Sequence, residues 1–137
     1  MKLVTVGTVA FDDIETPRGR AEMVIGGAAT YISRSASFFV ENQGIVSVIG
    51  GDFPEDELEE MRSLGINTDG IEIKKEEKSF FWAGRYHDNM NKRDTLITDL
   101  NVLANFEPKL PEAYRSAEYL MLGNLTPSSF TPNNFML

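Results

Sequence analysis

Three short stretches of this 137-residue sequence bring together residue types that can do chemistry. Gly7-Thr8-Val9-Ala10-Phe11-Asp12-Asp13 places two carboxylates just beyond a short β-branched run, Lys2 to Gly7. In open α/β sheets, ligands bind beyond the carboxyl ends of the strands. A carboxylate there can accept hydrogen bonds from two neighbouring hydroxyls, as a sugar presents them. The alternative role for Asp12 and Asp13 is to cap a loop. Gly26-Gly27-Ala28-Ala29-Thr30-Tyr31 joins a glycine pair to a helix start. Glycine lets backbone approach a ligand closely, and a helix start directs N–H groups outward, toward sugar oxygens or an anion. A tight strand-to-helix turn would use the same residues. Neither a Gly-Lys-Ser/Thr phosphate loop nor a G-x-G-x-x-G dinucleotide fingerprint occurs here. The third stretch, Gly50-Gly51-Asp52, precedes Pro54 and Glu55, and Asp52 is expected as a helix N-cap.

Other reactive side chains are few. The single histidine, His87, sits in the polar run His87-Asp88-Asn89-Met90-Asn91 and reads as a solvated tip rather than a base. One histidine near an aspartate is weak evidence for a metal site, and none is expected. The chain has no cysteine, which excludes disulfides, thiolate metal sites and a cysteine nucleophile.

These residues need strands and helices to hold them. Lys2 to Gly7 reads as a buried strand, Thr8 to Arg20 as a loop, and Ala21 to Ile25 as a short strand. A helix follows from about Ala28 to Glu41, with Ala29, Ile32, Ala36, Phe39 and Val40 at helical spacing. Ile45 to Ile49 is a second buried strand, and Phe53 to about Leu64 a second helix. This alternation predicts an α/β sheet with parallel pairing. Ile71 to Ile73, Ser79 to Tyr86 and Thr95 to Thr98 then predict a small antiparallel sheet set off from that core. Phe80, Trp82 and Tyr86 share one of its faces, and Phe81, Ala83 and Arg85 the other. Glu112 to Ser116 predicts a short helix and Tyr119 to Leu122 a strand.

Charge narrows the partners. The net charge is −8, and Lys74-Lys75 runs straight into Glu76-Glu77. A nucleic-acid binder shows a basic patch, so nucleic acid is not an expected partner, nor is an anionic membrane surface. Met1 to Val9 lacks the apolar stretch of a signal peptide, and a cytoplasmic protein is the expectation.

Taken in order, the motifs resemble the N-terminal half of ribokinase-like (PfkB-type) carbohydrate kinases. The pattern is a strand with Gly and a downstream Asp, Gly26-Gly27 opening a helix, Gly50-Gly51-Asp52-Phe53, and Leu64-Gly65-Ile66-Asn67-Thr68-Asp69-Gly70-Ile71 leading into a β lid. The resemblance covers Lys2 to about Pro127. It implies a Rossmann-like ribokinase-type sheet, truncated, with a small projecting β lid. The corresponding divisions are an incomplete substrate-binding core (1–70 and 107–125), the lid (71–106) and a tail (126–137) expected to be poorly ordered. Asp12 matches the family's sugar-hydroxyl acceptor, and Gly26 and Gly27 the glycines that pack on the sugar. Trp82 lies in the lid segment Phe80 to Tyr86, which would cover the substrate and pair two subunits. Asn105 resembles an Asn after the lid. Asn124 stands where the strand after the lid meets the site. Ala10 and Tyr31 occupy positions where many members have Asn, and Leu125 replaces a Glu of some. Tyr31 would suit a different sugar or a sugar-like ring.

In this family the catalytic base lies in a Gly-Ala-Gly-Asp motif near the C-terminus, with the ATP pocket in the same half. The chain contains no such motif. ATP and Mg²⁺ are therefore expected for a complete enzyme and not as strong ligands of this chain. The tail Ser128 to Leu137 does not resume a helix, and a gene fragment, truncation or frameshift product is expected. Two other readings remain: a non-catalytic sugar-binding or lid-dimerising module, and an unrelated small Rossmann-like domain with Ser79 to Thr98 in its core sheet.

Overall fold

A computed structural model describes residues 1–131 and Phe135. The elements in chain order are β1 (Leu3–Val6), β2 (Ala10–Thr16), β3 (Gly19–Gly26), α1 (Ala28–Ala36), β4 (Gln43–Gly50), α2 (Glu55–Ser63), β5 (Ile66–Asn67), β6 (Ile71–Lys74), β7 (Phe80–Tyr86), β8 (Arg93–Asp99) and β9 (Tyr119–Leu122). Short 3-10 helices occupy Asn101–Asn105, Glu112–Tyr114 and Pro127–Ser129.

The apolar, β-branched runs β1 and β4 form the centre of a parallel sheet, because a strand buried on both faces needs continuous apolar sequence. All eight positions of β4 are buried. β5 and β6 pair in succession along one side of β4, β1 along the other, and β9 pairs with β1, all parallel. One face packs Ile45 and Ile49 against Leu58 and Met61 of α2. The other packs Val4, Val6, Val46 and Val48 against Val102, Phe106, Leu110 and Tyr114.

The second sheet has the order β3-β2-β7-β8. Its central strands β2 and β7 run parallel, while β3 and β8 flank them antiparallel. Phe11, Ile25 and Phe81 face the first hydrophobic cluster, so this sheet stands on the core by one end. The hairpin from Ser79 to Thr98 thus lies outside the parallel sheet, against the reading of an unrelated Rossmann-like domain.

Several expectations are corrected. The expected loop from Thr8 to Arg20 contains β2, a full strand of the second sheet. Its acidic composition and a bulge between Asp12 and Ile14 break the alternation that would announce it. Ile71 to Ile73 joins the parallel sheet beside β4 instead of the second sheet. Strand pairing therefore places 10–26 with the lid strands and 71–74 with the core. The first helix ends at Ala36, not Glu41, and Phe38 and Phe39 are 84% and 89% exposed. Ser37 Oγ donates to Arg34 O at 2.6 Å, a local bond that competes with helix continuation. Helix α2 starts at Glu55 with Pro54 as N-cap and no side-chain cap, so Asp52 does not cap it. In the tail, Phe130 and Phe135 pack against the second cluster. The expected disorder of Pro132, Asn133, Asn134, Met136 and Leu137 lies outside the described residues.

Candidate functional site

The two sheets meet at the carboxyl end of β1, where Thr8 gathers three segments. Thr8 O accepts from Ala29 N at 2.9 Å, and Thr8 Oγ1 accepts from Ala28 N at 3.1 Å. The same hydroxyl donates to Asn124 Oδ1 at 2.9 Å, and Thr8 N reaches that oxygen at 3.3 Å. Gly27 makes this possible: its φ is +94°, and a Cβ there would overlap Thr8 O. Two helix-start donors that the sequence left free for a ligand are thus bound to Thr8. Nothing in the motif alone marked Thr8, because its partners lie 20 and 116 residues away.

The two neighbouring carboxylates differ in surroundings. Asp13 Oδ1 accepts from Met23 N at 2.7 Å, and Arg20 stands 3.7 Å from its other oxygen. Asp12, on the opposite face of β2, makes no hydrogen bond or ion pair among the described residues. Its carboxyl is half-buried against Gly26, where a Cβ would come within 2.6 Å of Asp12 Cγ. Burial, and then the charge of Asp13, push the Asp12 carboxyl above its ordinary range. An ionised Asp12 has unsatisfied acceptor capacity, which is what a pair of ligand hydroxyls would fill.

Trp82 stands directly opposite Asp12 in the parallel pairing of β2 with β7. Its ring lies along the strand over Gly84, and the Arg93 guanidinium sits 5.6 Å from the ring centroid. Such a stack is favourable when a cation lies over an indole face. Sequence reasoning missed Arg93.

The structure therefore brings Asp12, Gly26 and Trp82 together, and links Gly27 to Asn124 through Thr8. Tyr31 is 54% exposed on α1, and no hydrogen bond or ring contact joins it to Asp12 or Trp82. Asn105 is exposed and lines a separate cavity of about 580 Å³ with Leu103, Leu125 and Ser128. After the lid it is Asn101, in a left-handed conformation at φ +50°, that reaches back to Ser79 O at 3.0 Å. His87 pairs with Asp94 at 2.9 Å on the exposed β7–β8 hairpin. Among the described residues no group of three or more His, Asp or Glu side chains could hold a metal ion. No helix among them is long and apolar enough to cross a membrane.

The fold has counterparts among solved structures. Ribokinase from Cryptococcus neoformans, in complex with ADP, superposes with a TM-score of 0.74 over 93% of this chain at 17% identity. The nucleoside kinase of Methanocaldococcus jannaschii superposes with a TM-score of 0.73 over 94% of the chain at 19% identity. This chain has the ribokinase fold. The ribokinase-type part spans 42% and 46% of those two structures, less than half of each. In sequence, the cytidine kinase of Thermococcus kodakarensis is 34% identical over 73 residues, which is 53% of this chain and 26% of that protein. No protein-family profile matches the chain.

Proposed function

We propose that this ribokinase-type chain is the substrate-binding and lid part of a cytoplasmic, ATP-dependent kinase that phosphorylates a hydroxyl of a sugar or nucleoside. The observation that carries the proposal is the unpaired, half-buried Asp12 carboxylate, set between Gly26 and Trp82 where the two sheets meet. Asp12 would accept two vicinal hydroxyls, Gly26 and Gly27 would let the ring approach the backbone, and Trp82 would wall the site from the lid side. Asn124 holds Thr8 through Oδ1 and retains its amide nitrogen for a ligand oxygen. Tyr31 would reach the ligand only from the rim.

The similar proteins support this class of substrate. One is a cytidine kinase, and the structure of a nucleoside kinase of Burkholderia thailandensis is a complex with inosine. A putative ribokinase II of Escherichia coli binds ATP and Mg²⁺. Among the described residues here no three His, Asp or Glu side chains gather to hold such a metal ion. ATP, Mg²⁺ and the catalytic base are not placed on these 137 residues, which carry no Gly-Ala-Gly-Asp motif.

Isothermal titration with cytidine, inosine, ribose and fructose tests the proposal. At least one compound should bind, and Asp12→Ala should abolish that binding. Failure of all four to bind would overturn the site. ATP-dependent phosphorylation by the purified chain would overturn the placement of the base.

A second reading, a binding module that pairs two copies through the lid, is favoured by one observation. Every residue of β8 is exposed, Leu96 and Ile97 by nearly half. Sedimentation of the chain with and without Leu96→Asp separates a lid dimer from a monomer.

A further inference from the structure

The Gly50-Gly51-Asp52-Phe53 turn is unexplained by helix capping, and its contacts run to the second sheet. Ser79, buried at the start of β7, donates to Asp52 Oδ1 through both its backbone N (2.9 Å) and its Oγ (2.7 Å). Ser79 Oγ accepts from Gly50 N at 2.9 Å. Gly51 N donates to Glu77 O at 3.0 Å. Neither glycine tolerates a side chain: a Cβ at Gly50 would meet Ser79 N at 2.6 Å, and one at Gly51 would overlap Lys75 O. The segment that leaves the core sheet after β6 therefore rests directly on this turn.

The returning segment is tied to the same place. Asn101 Nδ2 donates to Ser79 O at 3.0 Å, and Val102 N donates to Lys78 O at 3.1 Å. The next residue of the turn supports the other central strand: the Phe53 ring lies 5.7 Å from that of Phe11 on β2. Phe11 faces the core, so its neighbour Asp12 faces away from it. Both strands that carry the Asp12–Trp82 pair are thus seated on four consecutive residues.

We propose that the Gly50–Phe53 turn is the seat that fixes the orientation of the second sheet on the first, with Asp52 as the positioning residue for Asp12 and Trp82. Asp52 acts through Ser79 and touches no ligand. Its functional meaning rests on the reading of Asp12 given above, but the orientation itself is measured without ligand.

The test uses the full chain, ¹⁵N-labelled, and residual dipolar couplings from the two sheets. In the unaltered protein both sheets should fit one alignment. In Asp52→Ala each sheet should keep its internal couplings while the common alignment is lost. Asp52→Asn retains an oxygen acceptor for Ser79 and should restore the common alignment. A shared alignment in a folded Asp52→Ala, even one with lowered thermal stability, would overturn the proposal. If Asp52→Ala fails to fold, hydrogen exchange in the unaltered chain decides. The amides of Gly50, Gly51, Ser79 and Val102 should open together as one unit, and independent exchange would overturn the seat. Failure of sugar or nucleoside binding leaves these readouts unchanged, so the two proposals fail separately.

Discussion

Asp12 and Gly26 pack so closely that the carboxyl group occupies the space a side chain would need: a Cβ on Gly26 would overlap Asp12 Oδ2. The two residues lie on paired strands, two positions apart in register, since Ala10 is the partner of Gly26. Gly26→Ala should force the carboxylate out of its position. Overpacking of this kind costs about 1–3 kcal/mol, and ligand binding should be lost with it. Chemical unfolding and titration of the variant check both, and a variant that binds as the parent does would contradict the geometry.

The Asp12 carboxyl also gives stability a pH dependence. Its folded-state pKa lies above the ordinary value of 3.8, from burial and then from Asp13. The folded chain therefore holds that proton more tightly than the unfolded chain. This contribution is complete below 3.8 and is lost as pH rises through the raised value. Asp12→Asn should flatten that part of the profile and stabilise the ligand-free chain at neutral pH. Urea unfolding across the acid range measures it, and an unchanged profile would count against the burial of Asp12.

Thr8 carries hydrogen bonds that no apolar side chain can replace. Thr8→Val keeps the shape and removes the hydroxyl that serves Ala28 N and Asn124 Oδ1. Stranding such partners costs about 1–3 kcal/mol. The amides of Ala28 and Ala29 should exchange faster in this variant. Equal exchange rates would show that the backbone bond to Thr8 O suffices.

Tyr114 offers a test remote from the site. Its hydroxyl donates to Asn67 Oδ1 at 2.6 Å and accepts from Gly70 N at 3.0 Å, locking the β5–β6 connection to the far face of the sheet. Burial pushes its pKa up from 10.0 to about 12. Stability from the neutral phenol is present below 10.0 and is lost as pH rises through about 12. Tyr114→Phe should lower stability by about 1–3 kcal/mol, because Gly70 N loses its acceptor, and should flatten the alkaline limb. Thermal unfolding from neutral to alkaline pH distinguishes the two effects.

The legible parts of this molecule are those whose cause is local. The apolar run of β4, the breaks at Gly26-Gly27 and the helical spacing of Ala29, Ile32 and Ala36 each announce their element within a few residues. The opposite holds where the cause is distant. Asp52 has the sequence context of an N-cap, yet its partner Ser79 is 27 residues away. β2 looks like a loop because its acidic residues find their neighbours on β3 and β7. Phe39 has helical spacing, but no element among the described residues packs over that end of α1, so its periodicity leads to solvent. At the candidate site, Asp12 draws attention in the sequence by its place after β1, while the positions of Thr8 and Arg93 are set by contacts across the fold.

β9 is the last strand on its side of the parallel sheet, and its outer backbone groups meet no strand among the described residues. Tyr119, Met121 and Leu122 are each exposed by more than two-fifths. An open apolar edge invites copies to stack, and what opposes stacking here is mutual repulsion between chains of net charge −8. That repulsion disappears near the isoelectric point, about pH 4.6. The colloidal behaviour of these 137 residues on their own should therefore turn sharply with acidity: dispersed at neutral pH, and precipitating through the β9 edge as the solution approaches the isoelectric point.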